Sequence, residues 1–522
     1  MPKPNILFIM YDQLRADYLG CYGHPTIDTP AMDALAARGV RFERAYCQSP
    51  VCGPSRMSFY TGRYVYSHGS TWNDVPLPLS EWTIADYLQP AGYRVAVVGE
   101  SHFPADRAGM QRLEIPTESA LGRRLSEGGF EPWERDDQIH PDTAPNLDFG
   151  YNRYLRAHGY DSHNPWHDFA NSAEGPDGEV LSGWQMRNAH LPTRVPEEHS
   201  ETAYFTNRAM AFIEDAGDQP WCLHLSYMKP HWPYMAPAPY HEMYGDNQVL
   251  PAVRDMAEKD GAHPVMRAFM DHDEADAFQD EAKRRHIIPT YMGLIRQADD
   301  HLARLMAFLE ERGQLDNTLV VLTSDHGSYL GDHWLGEKSL FHEQSARIPL
   351  IVVDPSPAAD ATRGRVETRF AEAIDLLPTF VAAAGEPPVP HRLEGRSLLP
   401  ILHDETVDWR EAAVSEHDYA FQKARLLLGR APSEARSVMI RTERWKYIHF
   451  EGFRPQLFDM ETDPEELHDL GDDPAHEETR RALREELFLW FRTRANRTTM
   501  SDEEVAGRTY TAKERGVFIE LW

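Results

Sequence analysis

The chain has 522 residues, 41% of them apolar, enough to bury a large core and too many for one small domain. Lys and Arg number 53 against 83 Asp and Glu, and a net charge of −30 repels nucleic acid and anionic membrane surfaces. An anionic small-molecule substrate meets the same field, so it requires a locally positive pocket or a metal ion.

The first apolar run, 5–10, has strand length and is followed by Asp12. It is too short for a signal peptide or a membrane span. Four cysteines, Cys21, Cys47, Cys52 and Cys222, lack paired metal-ligand spacings and give no disulfide framework, so the chain reads as cytoplasmic. A helical pattern at about 29–38 precedes Cys52-Gly-Pro-Ser-Arg56. Ser55 onward reads as the opening of a helix, which places residue 52 near free backbone N–H groups that favour an anion. A helix at about 83–91 leads to an apolar run at 94–98, with Glu100 and His102 just beyond it. From about 100 to 200 the pattern dissolves into Pro, Gly, His, Trp and Asp; the stretch is longer than an ordinary connection and is expected to form a pocket wall or lid.

Regular patterning resumes with a helix at about 203–215, a strand at 221–228 and a helix at 290–312, where Leu294, Ala298, Leu302, Leu305 and Leu309 share one stripe. Strands at 319–323 and 348–353 flank Asp325-His326, and a helix follows at 372–385. Runs buried on both faces and alternating with helices predict an α/β fold, a parallel or mixed sheet sandwiched by helices. After Pro400 come shorter strands at 413–416, 438–441, 446–450 and 456–459 and a helix near 475–495, a small α+β appendage. The division is a catalytic domain over 1–400, a subdomain over 401–495 and a tail over 496–522. The tail ends Phe518-Ile-Glu-Leu-Trp522 and is expected to pack on a neighbouring subunit of a homodimer or higher homo-oligomer.

Asp12 and Asp325 each follow a strand, and in open α/β sheets ligands sit outside the carboxyl ends of strands. Either acid alone is more often a turn residue or helix cap; together, with His326 adjacent, they read as a metal site. A lone Cys52 would be a small buried residue. The string Cys52-Gly-Pro-Ser-Arg56 with Thr61-Gly-Arg63 downstream, however, resembles the Cys-x-Pro-Ser-Arg signature of the sulfatase family. Ordered resemblances continue through Lys229-Pro-His-Trp-Pro233, Ser324-Asp-His-Gly327, Gly336-Glu-Lys338 and Arg444-Trp-Lys-Tyr-Ile448.

The resemblance implies an alkaline-phosphatase-like core and a Cys52 converted to formylglycine by a formylglycine-generating enzyme. One hydroxyl of the hydrated aldehyde would bind the metal and attack sulfur or phosphorus; the other would expel the bound group as its proton is removed. That hydrate avoids a second substitution, which a serine ester would need. Arg56 would orient the diol, His102 would take the releasing proton, and His231 and Lys338 would bind substrate and stabilise the leaving oxygen. Taken singly, His102 is a loop histidine, Lys338 a solvated lysine and His231 a ring packed between prolines.

Three departures from the common pattern matter. Gln13 stands where a second acid is usual, contributing a neutral carbonyl at most, and His326 stands where asparagine is usual. Imidazole suits transition metals, so one divalent ion is expected, Mn2+ before Ca2+, with iron or zinc open. Glu100 replaces a lysine, and a carboxylate about 5 Å from substrate would cost about 3 kcal/mol per substrate charge, favouring monoanions over dianionic phosphate monoesters. Asp12-Gln13, Asp325-His326 and Asn73, expected beside the substrate, look like the phosphonate monoester hydrolase branch, whereas His102 resembles the true sulfatases. The expected activity is sulfate monoester hydrolysis of arylsulfatase type, with phosphonate monoester or phosphodiester hydrolysis as the alternative. A non-catalytic binding protein on the same fold is the third reading.

Overall fold

The computed structural model describes residues 3–137 and 148–509, together with 511, 514 and 516. The expected packing of Phe518–Trp522 on a neighbour lies outside the described residues.

Strands β1 (Asn5–Tyr11), β2 (Val40–Tyr46), β3 (Arg94–Gly99) and β4 (Glu131–Arg135) come first; a short hairpin of β5 (Ser172–Glu174) and β6 (Val180–Ser182) follows. Then come β7 (Trp221–Tyr227), β8 (Thr318–Ser324), β9 (Arg347–Val353), β10 (Arg365–Glu367) and β11 (Ala371–Glu372). Among the described residues the main sheet has nine strands in the order β10-β2-β9-β8-β1-β7-β3-β4, with β11 also beside β2. β9 runs antiparallel to both its neighbours, and the other pairings are parallel, as the expected mixed sheet requires. β1, β7 and β8 are buried at every position because they lie mid-sheet with helices on both faces.

Side chains alternate between the faces of a strand, and the two faces carry separate cores. Leu7, Ile9 and Tyr11 of β1 pack beneath α1 (Pro30–Arg38), α3 (Glu201–Ala216) and α4 (Glu281–Glu311); Ile6, Phe8 and Met10 pack beneath α2 (Cys52–Thr61) and α5 (Leu376–Ala383). The parallel register sets Tyr11 opposite Ser324 and Tyr227, and Gly99 opposite Ser226. Asp12, Glu100, Ser226 and Asp325 therefore leave the sheet at one edge.

Several elements differ from the sequence expectation, among them β4, a main-sheet strand inside the stretch read as irregular. β2 has alternating rather than continuous apolar character and escapes a search for apolar runs. α4 begins at Glu281, well before 290, with Pro289 inside it, because its first turns are polar and carry no stripe. α2 begins at Cys52 rather than Ser55, since Pro54 in the first turn has no N–H to forfeit.

The C-terminal part forms an antiparallel sheet of β12 (Ala412–Asp418), β13 (Arg436–Thr442), β14 (Trp445–Phe450) and β15 (Gln456–Asp459) in that order. One face, with Val414, Ile440, Tyr447 and Leu457, packs under Leu483 and Leu487 of α6 (Glu477–Arg492). The other face, with Met439, Ile448 and Phe458, shares a core with Leu335, Leu340 and Phe341 of the main domain. Among the described residues no helix is long and apolar enough to cross a membrane.

Candidate active site

Cys52 occupies the first turn of α2, where backbone N–H groups lack helical partners. One of them, from Gly53, donates to Asn73 Oδ1 at 2.8 Å, and a Cβ at Gly53 would collide with Asn73. The sulfur is buried, 3.1 Å from His326 Nε2, 3.2 Å from Lys338 Nζ and 4.0 Å from Asp12 Oδ1. Burial, then the Asp12 charge, raise the thiol well above its ordinary pKa, against the opposing pull of Lys338. All four cysteines are unpaired.

Arg56, one helical turn on, is fully enclosed and binds three carboxylates. Its Nε donates to Asp325 Oδ2 at 3.0 Å, and one terminal nitrogen donates to Asp12 Oδ2 at 3.2 Å and Glu100 Oε2 at 2.6 Å. The other donates to the Glu100 carbonyl at 3.0 Å and to Ser226 Oγ at 2.7 Å. Asp325 Oδ1 accepts the backbone N–H groups of Gln13 and His326 at 3.1 and 2.9 Å, locking the carboxylate from both sides.

The donor set fits a divalent cation. One ligand atom from each of Asp12, Cys52, Asp325 and His326 lies within 4.8 Å of the others. His326 Nδ1–H donates to the Gly327 carbonyl at 2.8 Å, leaving Nε2 facing Asp12 Oδ1 and Asp325 Oδ1, 3.7 Å from each. Burial lowers the His326 pKa to about 4, so its lone pair is available at neutral pH. Burial, then Asp325 and Glu100, push the Asp12 carboxyl well above its usual range, a repulsion that a cation would relieve. Gln13 has a left-handed backbone, φ 64°; its Nε2 donates to Ser328 Oγ at 2.9 Å, and its Oε1 lies 3.5 Å from Lys338 Nζ.

Lys338 Nζ also lies 3.1 Å from His231 Nε2, while His231 Nδ1 donates to the Trp232 carbonyl at 2.7 Å. Burial, then Lys338, push His231 well below its ordinary pKa, which leaves Nε2 an acceptor. Burial works against the Lys338 charge, but the acids around it, Glu337, Asp12 and Asp325, raise its pKa and keep it cationic. His102 is half-buried with φ 46°; its N–H and that of Ser101 donate to Asp137 Oδ1 at 3.1 and 2.7 Å.

Glu100 has a different setting from the one expected of a bare pocket charge. Oε2 binds Arg56 and Oε1 contacts His102 Nδ1; burial alone would raise its pKa, but Arg56 and His102 hold it well below the usual range. Its charge is spent on those two partners, so direct repulsion of a substrate dianion is weaker than the sequence reading supposed. Ser226 and Asp137 carried no signal in the sequence.

A cavity of about 410 Å³ opens over Cys52, and His102, His231, Lys338, Asn73 and Glu100 all line it. Its outer wall is aromatic: Trp72, Trp166, Trp184, Trp232 and Phe269. Trp166 and Trp184 come from the irregular 100–200 stretch, whereas Phe269, from a short helix, was not foreseen. The ensemble can bind a small anion at its base and an organic group against its wall.

Residues 4–386 match the Sulfatase family, and residues 331–492 match the N-sulphoglucosamine sulphohydrolase C-terminal family. The multifunctional alkaline phosphatase superfamily protein PehA of Trinickia caryophylli is 32% identical over 95% of this chain and 97% of its own. An arylsulfatase of Clostridium perfringens is 28% identical over 90% of each chain. The phosphonate monoester hydrolase SpPMH of Silicibacter pomeroyi superposes with a TM-score of 0.82 at 27% identity, over 96% of this chain and 98% of that one. The chain therefore belongs to the sulfatase family of hydrolases, within the alkaline phosphatase superfamily, with arylsulfatases and phosphonate monoester hydrolases among its relatives.

Proposed function

We propose that the chain hydrolyses sulfate monoesters at a site where residue 52 carries formylglycine beside one divalent metal ion. The observation that carries this reading is the place of residue 52: a first helical turn, against His326 and Lys338, with a thiol whose ionisation burial opposes. A thiol there has little nucleophilic use, whereas an aldehyde hydrate has two hydroxyls to employ. Maturation would require a formylglycine-generating enzyme.

Asp12, Gln13, Asp325 and His326, with residue 52, would hold the ion, and one imidazole in place of an oxygen ligand favours Mn2+ over Ca2+. When bound, the ion lowers the pKa of a coordinated hydroxyl and polarises an ester oxygen. Arg56, clamped by its carboxylates, fixes the orientation of residue 52. Lys338, with His231 accepting from it, faces the departing oxygen and stabilises its charge. His102, held at Nδ1 by Glu100, takes the proton of the second hydroxyl; the C–O bond to sulfate then breaks and the aldehyde returns.

Among the groups that contact Arg56 and Cys52, Asp12, Asp325 and Glu100 against Arg56 and Lys338 leave one negative charge, and a divalent ion would make it one positive. A monoanionic ester matches that charge. Phosphonate monoesters and phosphodiesters match it too, and the likeness to SpPMH favours them as the second reading. The aromatic wall suits an aryl or similarly apolar alcohol.

The test begins with intact-protein mass at residue 52 and metal content, then compares kcat/KM on an aryl sulfate and an aryl phosphonate with one leaving group. A sulfate preference of tenfold or more supports the first reading, and the reverse moves the assignment to the second. No turnover of either by protein carrying aldehyde and metal would sink both and restore a binding role.

A further inference from the structure

We propose that Glu258, His333 and His342 form a second cation site, sharing no residue with the cluster around Cys52, that takes a divalent ion of the zinc class. One ligand atom from each of the three lies within 4.8 Å of the others. Both imidazoles and the carboxylate are buried. His333 Nδ1 pairs with Glu258 Oε1 at 2.5 Å, and His342 Nδ1 pairs with the Tyr329 hydroxyl at 2.8 Å. The two rings stack with centroids 3.9 Å apart and planes 19° apart.

What remains on each side chain points to a ligand. His333 Nε2, His342 Nε2 and Glu258 Oε2 are all buried with no hydrogen-bond partner among the described residues. A buried polar atom left unpaired is costly, and such atoms in native proteins are few. Three on neighbouring residues make a set of lone pairs that a cation could accept. A cavity of about 380 Å³ reaches Glu258, His342 and Glu466, giving an ion a route in and room for water ligands. Two imidazoles and one carboxylate suit zinc rather than calcium or magnesium, which take mostly oxygen. A tetrahedral ion needs both imidazole lone pairs aimed at one centre about 2.0–2.2 Å away, so binding would turn the two rings out of their stack as well as gather the ligand atoms.

The position gives the ion a task. His333 and His342 stand on either side of Lys338 in the chain, and the stretch between carries left-handed backbone at non-glycine residues: Leu330, His333, Trp334 and Ser339 have φ of 49°, 53°, 63° and 93°. Such a loop persists only when its surroundings over-determine it. An ion joining 333 to 342 and to Glu258 would brace the loop that presents Lys338. None of this depends on the chemistry of residue 52.

The test counts zinc on full-length protein stripped by chelator and dialysed against micromolar zinc. Asp12→Ala with Asp325→Ala should retain one equivalent, and adding His333→Ala with His342→Ala should remove it. Zinc should likewise raise the melting temperature of the first protein and not of the second. No zinc on the first protein, or zinc retained by the second, overturns the site in favour of a plain Glu258–His333 ion pair. Should the first protein fail to fold, zinc-edge anomalous scattering from zinc-soaked wild-type crystals decides: a peak among the three side chains supports the site, and its absence removes it.

Discussion

Two buried charge clusters adjoin the segment from Lys338 to Glu343, and they are built to opposite rules. Around Lys446, on β14, Nζ lies 2.8 Å from Glu343, 2.6 Å from Glu466 and 2.9 Å from the Phe341 carbonyl, while Arg347 and Arg441 approach Glu343 to 3.4 and 3.8 Å. Burial pushes Glu343 upward, yet Lys446, Arg441 and Arg347 hold it down to about 2. Around Arg56 three carboxylates share one guanidinium, Asp12 is left strained by its neighbours, and the second cation, Lys338, faces a cavity. A cluster whose cations at least equal its acids ties two sheets together; one left over-acidic beside a cavity is poised for something not yet bound.

The sharpest way to break that contrast is Cys52→Ala. It should cut kcat/KM about 10⁵-fold with little change in melting temperature, since a methyl replaces a small buried group. Lys338→Ala should lower kcat about 10²–10³-fold, as expected for losing one charge-stabilising donor. Glu100→Gln should lower kcat about 10–10²-fold, because His102 loses the carboxylate that holds its Nδ1. If Glu100→Gln changes only the melting temperature, Glu100 belongs with the balanced kind.

The smallest effect on turnover is expected at Glu343→Gln, which should leave kcat per folded molecule unaltered and lower stability at pH 7 by about 3 kcal/mol, read from denaturant melts. Its carboxyl is depressed in the folded state, so its contribution is present above the unfolded pKa near 4.5 and fades as pH falls toward 2. The wild-type and variant melts should therefore converge between those values. A loss of turnover as deep as that of Glu100→Gln would erase the distinction between the clusters.

Much of this was legible because the chemistry sits where strands end. Asp12, Glu100 and Asp325 follow runs apolar enough to be read as central strands, and the Cys52 string is its own marker. Strand β2 was not legible, since one of its faces is only half-buried and its residues alternate. The partners of Arg56 and His102 were hidden for another reason. Ser226 and Asp137 are ordinary residues that register, not composition, brings to the site. The pairing of Glu100 with His102 likewise depends on a left-handed turn that no local pattern announces.

The single reversed strand has a consequence for how the polypeptide can be made. Val40–Tyr46 is synthesised early, yet its sheet partners are β9, β10 and β11, all beyond residue 346. An emerging chain therefore carries an unsatisfied strand through about three hundred residues of translation, a long exposure of hydrogen-bonding edge. Fragments ending before that point would aggregate rather than fold, and the α/β core closes only when its late segments arrive.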